Sequence, residues 1–457
     1  MKRTLIILSL MFCGTLCMTC GIFPFHDDWS YFTAPNMDFQ WRQLLPGAAF
    51  WRPFDVMWGG LLAFCPAVFP FANRVAIALA HTLNAWMVWN ALRILRRDNG
   101  SGDADSSCYP PMLGTLFFAC SSAMAATLVN TDTINQTWSF FFGIVAFCVA
   151  IGNGTGIWRS LAVLLLLLLS LLFKESGVSW MAVIPLALLW KDGTFRRPLR
   201  YGAMFGALLV LYFSVRFALQ GEVVLGDGQY YALAFDPESI LGSILLSVIA
   251  SLSGIDGLAF ECGKMVLLAV TVVCSFGFWS LFAWCSMKHR DAMKSLVASI
   301  GIAVAMSLPH CFFKGHHPAE MHFYPVVFAG AFLLGALRCE KGGILVRAIL
   351  PVAMAVLFSL GWYDKLGETY RRSERTQKLF REMAEKNIDF SRPVYFIVEV
   401  DQKTNYYSVF AGSAAHGIEF GKACRALNGW KEFDWHMAYT LEQIAAIPIN
   451  AQMVWIK

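Results

Sequence analysis

The sequence predicts an α-helical polytopic membrane protein of about 11 transmembrane helices, followed by a small α+β domain outside the membrane. Three observations carry this. Of 457 residues, 57% are hydrophobic and 15% charged, with a mean hydropathy of +0.54. A soluble domain carries about 25% charged residues, so the apolar surplus here calls for lipid as solvent. Apolar stretches recur through residues 1–362 with basic residues gathered in alternate connections, and after Tyr363 the composition turns abruptly to charged and mixed. The balance of 36 Lys+Arg against 31 Asp+Glu is too even for a nucleic-acid binder.

The first span follows Lys2 and Arg3, because no charge occurs from Thr4 to Phe25, more than the ~20 residues needed to cross. No small-x-small cleavage pattern precedes His26, so the segment reads as a signal anchor with Lys2 and Arg3 in the cytoplasm. Further spans are expected at 73–92, 111–128, 137–152, 158–173, 178–190, 201–219, 264–285, 295–309, 323–337 and 344–362. Arg93, Arg96, Arg97, Arg159, Lys191, Arg196, Arg197, Arg200, Lys288, Arg290, Lys294, Arg338 and Lys341 then all fall on the inside. Segment 238–258 is apolar enough to cross, but counting it would put the cations of 287–294 outside; it is expected to lie in the outer interface. Residues 1–362 thus form the membrane domain and 363–457 an extracytoplasmic soluble one. Within the latter, 393–400 and 453–456 carry strand patterns and 379–385 a helical one.

The 13 cysteines lie mostly in apolar runs and behave as small hydrophobes. Cys17 and Cys20 have CxxC spacing but no His or acidic partner in their span, which argues against a redox or zinc role. No internal repeat supports an inverted-repeat transporter.

Ionisable groups at a membrane face are costly and mark function. The expected external ends gather His26, Asp27, Asp28, Asp38, Arg42, Arg52, Asp55, Asp132, Lys174, Glu175, Asp227, Asp236, His310, Lys314, His316, His317, Glu320 and His322. The adjacent carboxylates Asp27 and Asp28 repel, so one needs a cation or a raised pKa, which suits a general base or a metal ligand. A solvated span end with Trp29 and Tyr31 as an aromatic belt is the bland alternative. Arg42 and Arg52 can pair with carboxylate or phosphate, or anchor at the interface. Lys174 and Glu175 before Gly177 fit either a polar site or a simple turn. Lys314, His316, His317 and His322, with Tyr324 beyond, can hold a phosphate. Three His and Glu320 can alternatively bind a divalent metal, though their spacing matches no standard zinc pattern; no cofactor is expected.

A first span ending in an acidic pair, a long loop with Trp51-Arg52-Pro53, a second span with His81 and Asn84, Lys174-Glu175 between later spans, and a His/Tyr-rich late loop have a collective likeness. Their order resembles the polyprenyl-phosphate-sugar-dependent glycosyltransferases of the GT-C fold, in the branches of protein O-mannosyltransferases and bacterial enzymes that glycosylate lipids or O-antigens. The likeness covers residues 1–362 as topology and about a dozen positions as motif. It implies inverting sugar transfer from a polyprenyl-phosphate donor to a hydroxyl acceptor on glycan, lipid or protein, at the outer face of a bacterial inner membrane. It implies Asp27 as general base, Asp28 as its orienting neighbour, and Lys314 to Tyr324 as contacts of the lipid phosphate. The sequence departs from the family in offering His316, His317 and His322 where an Arg-Tyr pair is commoner, and in a tail without tetratricopeptide repeats. A transporter or flippase of lipid-linked sugars, or another membrane enzyme acting on polyprenyl phosphates, is the alternative.

Overall fold

The structure, a computed structural model, describes residues 2–24, 44–46, 51–97, 109–154, 156–220, 235–254, 269, 272–273, 275–277, 279–280, 291–312, 320–336, 344–398, 424–431, 433–438 and 440–456. The helices are α1 (Lys2–Thr19), α2 (Pro53–Ala63), α3 (Phe69–Arg97), α4 (Tyr109–Cys120), the short α5 (Ala125–Val129), α6 (Ile134–Ile151) and α7 (Ile157–Phe173). They continue with α8 (Trp180–Asp192), α9 (Arg196–Gln220), α10 (Pro237–Ser253), α11 (Asp291–Cys311), α12 (Phe323–Ala336) and α13 (Ile344–Glu385). Among the described residues, six helices are long and apolar enough to cross a membrane: those within 66–96, 109–129, 131–151, 196–219, 292–311 and 349–385.

The bundle is organised around α12. Every residue from Phe323 to Gly335 is buried, and a helix apolar on all sides belongs at the centre of a bundle. Small residues let its neighbours close in. A Cβ on Gly330 would stand 2.0 Å from the Ser251 carbonyl oxygen and 2.6 Å from the Phe117 ring, and one on Gly114 only 2.4 Å from the Ala331 oxygen. The periphery is apolar as well: Leu5, Ile6, Ile7 and Leu10 on α1, Val210, Leu211 and Phe217 on α9, and Leu241, Leu245 and Ile249 on α10 are exposed. Water would oppose so continuous an apolar rim, whereas lipid accepts it.

The two ends of the bundle differ in their charge. At one end Arg159 donates to the Val149 carbonyl at 2.6 Å, Lys191 to that of Ile151, and Arg197 to those of Ala150 and Gly152 at 2.8 and 3.1 Å. These cations satisfy the carbonyls left open where α6 ends. The other end collects the loops after α4, α7 and α11 and before α12. Thr127 Oγ1 donates to the Met321 oxygen at 2.9 Å, and the rings of His310 and His322 stack 3.6 Å apart.

Helix α10 starts beside the end of α11 and finishes against the turn after α4. Phe235, just before it, packs on Phe312, just after α11, with ring centroids 5.8 Å apart. At its other terminus the Gly254 oxygen accepts from Ala123 N–H at 2.9 Å and Ser121 Oγ at 2.7 Å, just beyond α4. Ser243, Ser247 and Ser251 face inward.

Two expected boundaries differ most from the structure. Regular helix stops at Cys120 rather than 128, and the chain turns through 122–133 before α6. Helix α13 runs unbroken for 42 residues through the expected junction at 362. A water-exposed helix and an apolar one share the same backbone hydrogen bonds, so a change of composition need not end it. It leaves from the second end, where Trp362 Nε1 donates to the Cys120 oxygen at 2.8 Å. Beyond it, β1 (Val394–Val398), β2 (Trp435–Ala438), the short α14 (Leu441–Ala445) and β3 (Gln452–Ile456) form a parallel three-stranded sheet in the order β2-β1-β3. Strands β1 and β3 fall where alternation placed them; β2 carried no such expectation.

Candidate functional site

The site grows from the first turn of α2. Pro53 fixes the start of that helix, leaving Arg52 at its N-cap and Asp55 in its first turn. Arg52 Nε and Nη2 both donate to Glu175 Oε2, at 3.0 and 2.8 Å. Glu175 opens the 3-10 turn Glu175–Ser179 after α7. That turn lies flat on α7 because residue 177 has no side chain: a Cβ there would meet Ser170 Oγ at 2.5 Å and Ser170 C at 2.8 Å. Extended backbone at Lys174 then carries its side chain inward, where it is only 8% exposed.

Lys174 stands in the loop between two expected spans, and its proton affinity is lowered to about 8. Burial is the main cause and the Arg52 charge the next, with Asp132, Glu175 and Asp55 opposing. It has no ion pair among the described residues. Asp55 Oδ2 accepts from Asn135 Nδ2 at 2.9 Å, which ties α2 to the start of α6. Trp51 stacks on Tyr212 of α9 at 5.2 Å, and the buried Arg216 follows one turn further along that helix. The His310–His322 stack completes the group; burial, then His310, Lys174 and Arg52, hold His322 well below the usual histidine range, so its ring is neutral at physiological pH. Three cations, three carboxylates and two imidazoles therefore meet at one end of the bundle. Such a group can bind an anion, accept hydroxyl hydrogens and take up a proton. Among the described residues no three His, Cys, Asp or Glu side chains are arranged to hold a metal ion.

Of the residues singled out from sequence, Arg52, Asp55, Asp132, Lys174, Glu175, His310 and His322 come together here. Tyr324 goes elsewhere: it is fully buried in the bundle, its hydroxyl 3.0 Å from both His81 Nδ1 and Asn84 Nδ2. That network continues from Asn84 to the Thr137 oxygen and from His81 to the Ala119 oxygen, so Tyr324 serves the packing of α3, α4, α6 and α12. His26, Asp27, Asp28, Arg42, Lys314, His316 and His317 lie outside the described residues. Sequence reasoning missed Tyr212, Arg216 and Asn135. Arg216 had a usable signal, since a lone arginine inside the apolar run 201–219 demands a partner; Tyr212 had none.

No protein-family model matches the chain, and no curated protein matches it in sequence.

Proposed function

We propose that the chain is a GT-C-like membrane glycosyltransferase that moves a sugar from a polyprenyl-phosphate donor to a hydroxyl acceptor at the outer face of a bacterial inner membrane. The observation that carries this reading is the convergence of Arg52, Lys174 and Glu175 with Asp55, Asp132 and His322 at one end of an apolar bundle, with Arg52 and Glu175 123 residues apart in the chain. Burying such groups is expensive, and a charged substrate arriving from the lipid is a physical reason to keep them. Arg52 and Lys174 supply positive charge for the departing lipid phosphate, together with the family-implied Lys314, His316, His317 and His322. Asp27 takes the acceptor hydroxyl proton while the acceptor oxygen bonds the anomeric carbon and the carbon–oxygen bond to phosphate breaks, inverting the centre. Asp28 orients that base.

The scheme of eleven spans belongs to the same proposal. Its support is the group of cations at the opposite end of the bundle. On this scheme 363–457 lie outside, because α13 leaves the bundle on the side of the polar group.

The experiment is reconstitution of the purified chain in liposomes with polyprenyl-phosphate-linked sugars. Release of polyprenyl phosphate together with glycosylation of a hydroxyl acceptor is the expected result. Movement of intact donor across the bilayer without cleavage would replace the reading with a flippase.

A further inference from the structure

We propose that Asn135 and Glu175 form a sugar-recognition subsite beside Lys174, taking hydroxyl hydrogens of a glycosyl group whose phosphate faces the lysine. This rests on the glycosyltransferase reading and specifies how the donor is held.

The two residues flank the first turn of α2, each using one polar atom to hold it and leaving another unused. Glu175 accepts both Arg52 N–H groups on Oε2, and its Oε1 is buried with no donor among the described residues. Asn135 spends Nδ2 on Asp55 Oδ2 at 2.9 Å, and its Oδ1 is likewise buried without a donor, on a residue only 6% exposed. The charged Lys174 amine, without an ion pair among the described residues, lies in the field of both Asp55 and Glu175.

An unsatisfied buried acceptor is costly, so two of them beside the first turn of α2 point to a ligand that completes them. Both oxygens are acceptor-only, and one belongs to a carboxylate. They therefore reject phosphate or carboxylate groups and select O–H donors. The neighbouring ammonium selects the opposite, an anion. A molecule with hydroxyls next to a phosphate fits both, which describes a glycosyl phosphate and not a bare lipid phosphate. In Glu175→Gln the amide oxygen can still serve Arg52, while the NH2 group replaces the unused acceptor with a donor.

The test compares affinities in detergent for polyprenyl phosphate without sugar and for the same lipid bearing in turn a hexose, a pentose and an aminohexose. Wild-type protein should bind one glycosylated lipid about ten- to a hundredfold more tightly than the sugarless one, as a charge-assisted hydrogen bond would give. That ratio should collapse toward one in Glu175→Gln and in Asn135→Ala, with melting temperatures showing that each variant folds. A ratio retained in folded Asn135→Ala and Glu175→Gln overturns the subsite, and so does a wild-type ratio near one; sugar transfer in liposomes would in either case leave the parent reading standing. Failure of wild type to bind any of the lipids would remove both.

Discussion

Lys174 offers a test of the site that needs no substrate. The folded chain holds this amine with an affinity near pH 8, against an ordinary 10.5, chiefly because burial strips its water. Below pH 8 the lysine is charged in the folded and unfolded chains alike, and the fold bears the whole cost of keeping that charge from solvent. At ~1.4 kcal/mol per tenfold in proton affinity this cost is about 3 kcal/mol. Between pH 8 and 10.5 the folded protein gives up the proton while the unfolded chain keeps it, so stability rises with pH across that window. Above 10.5 both are neutral and the cost is gone. Lys174→Met should therefore melt higher than wild type at pH 7 in detergent, and the gap should close as the pH approaches 10.5. The same variant should lose affinity for polyprenyl phosphate. A variant that melts lower than wild type at pH 7 would refute the argument, because it would mean that the charge is paired and stabilising.

Other expectations concern the reaction, the packing and the topology. Asp27→Asn should lower turnover by about 10²–10⁴-fold with expression and donor binding near normal, and Asp28→Asn should cost less; normal rates for both would take the first loop out of the mechanism. Gly330→Ala puts a methyl 2.0 Å from the Ser251 oxygen, and overpacking of this kind should cost about 1–3 kcal/mol, read as a lower melting temperature. Labels at Lys288 and Lys403 should report opposite sides of the membrane, and finding both on one side would break the eleven-span scheme.

The sequence by itself determined the class of protein, because the need for a lipid solvent is a property of composition and run length and requires no contacts. It also located β1 and β3, whose alternation is local, and it picked out Arg52, Lys174, Glu175 and His322 as costly charges near span ends. It did not show that Arg52 meets Glu175, since 123 residues separate them and pairing depends on which helices become neighbours. It joined Tyr324 to the late basic loop, whereas packing turned that side chain toward His81 and Asn84. Hydropathy ended the last span at 362, while the helix runs on to Glu385, because the solvent changes at a membrane face and the hydrogen-bonding pattern of a helix does not. Only tertiary structure decided the site: charges become a site when helices bring them to one depth and remove the water between them, and no one-dimensional pattern encodes that distance.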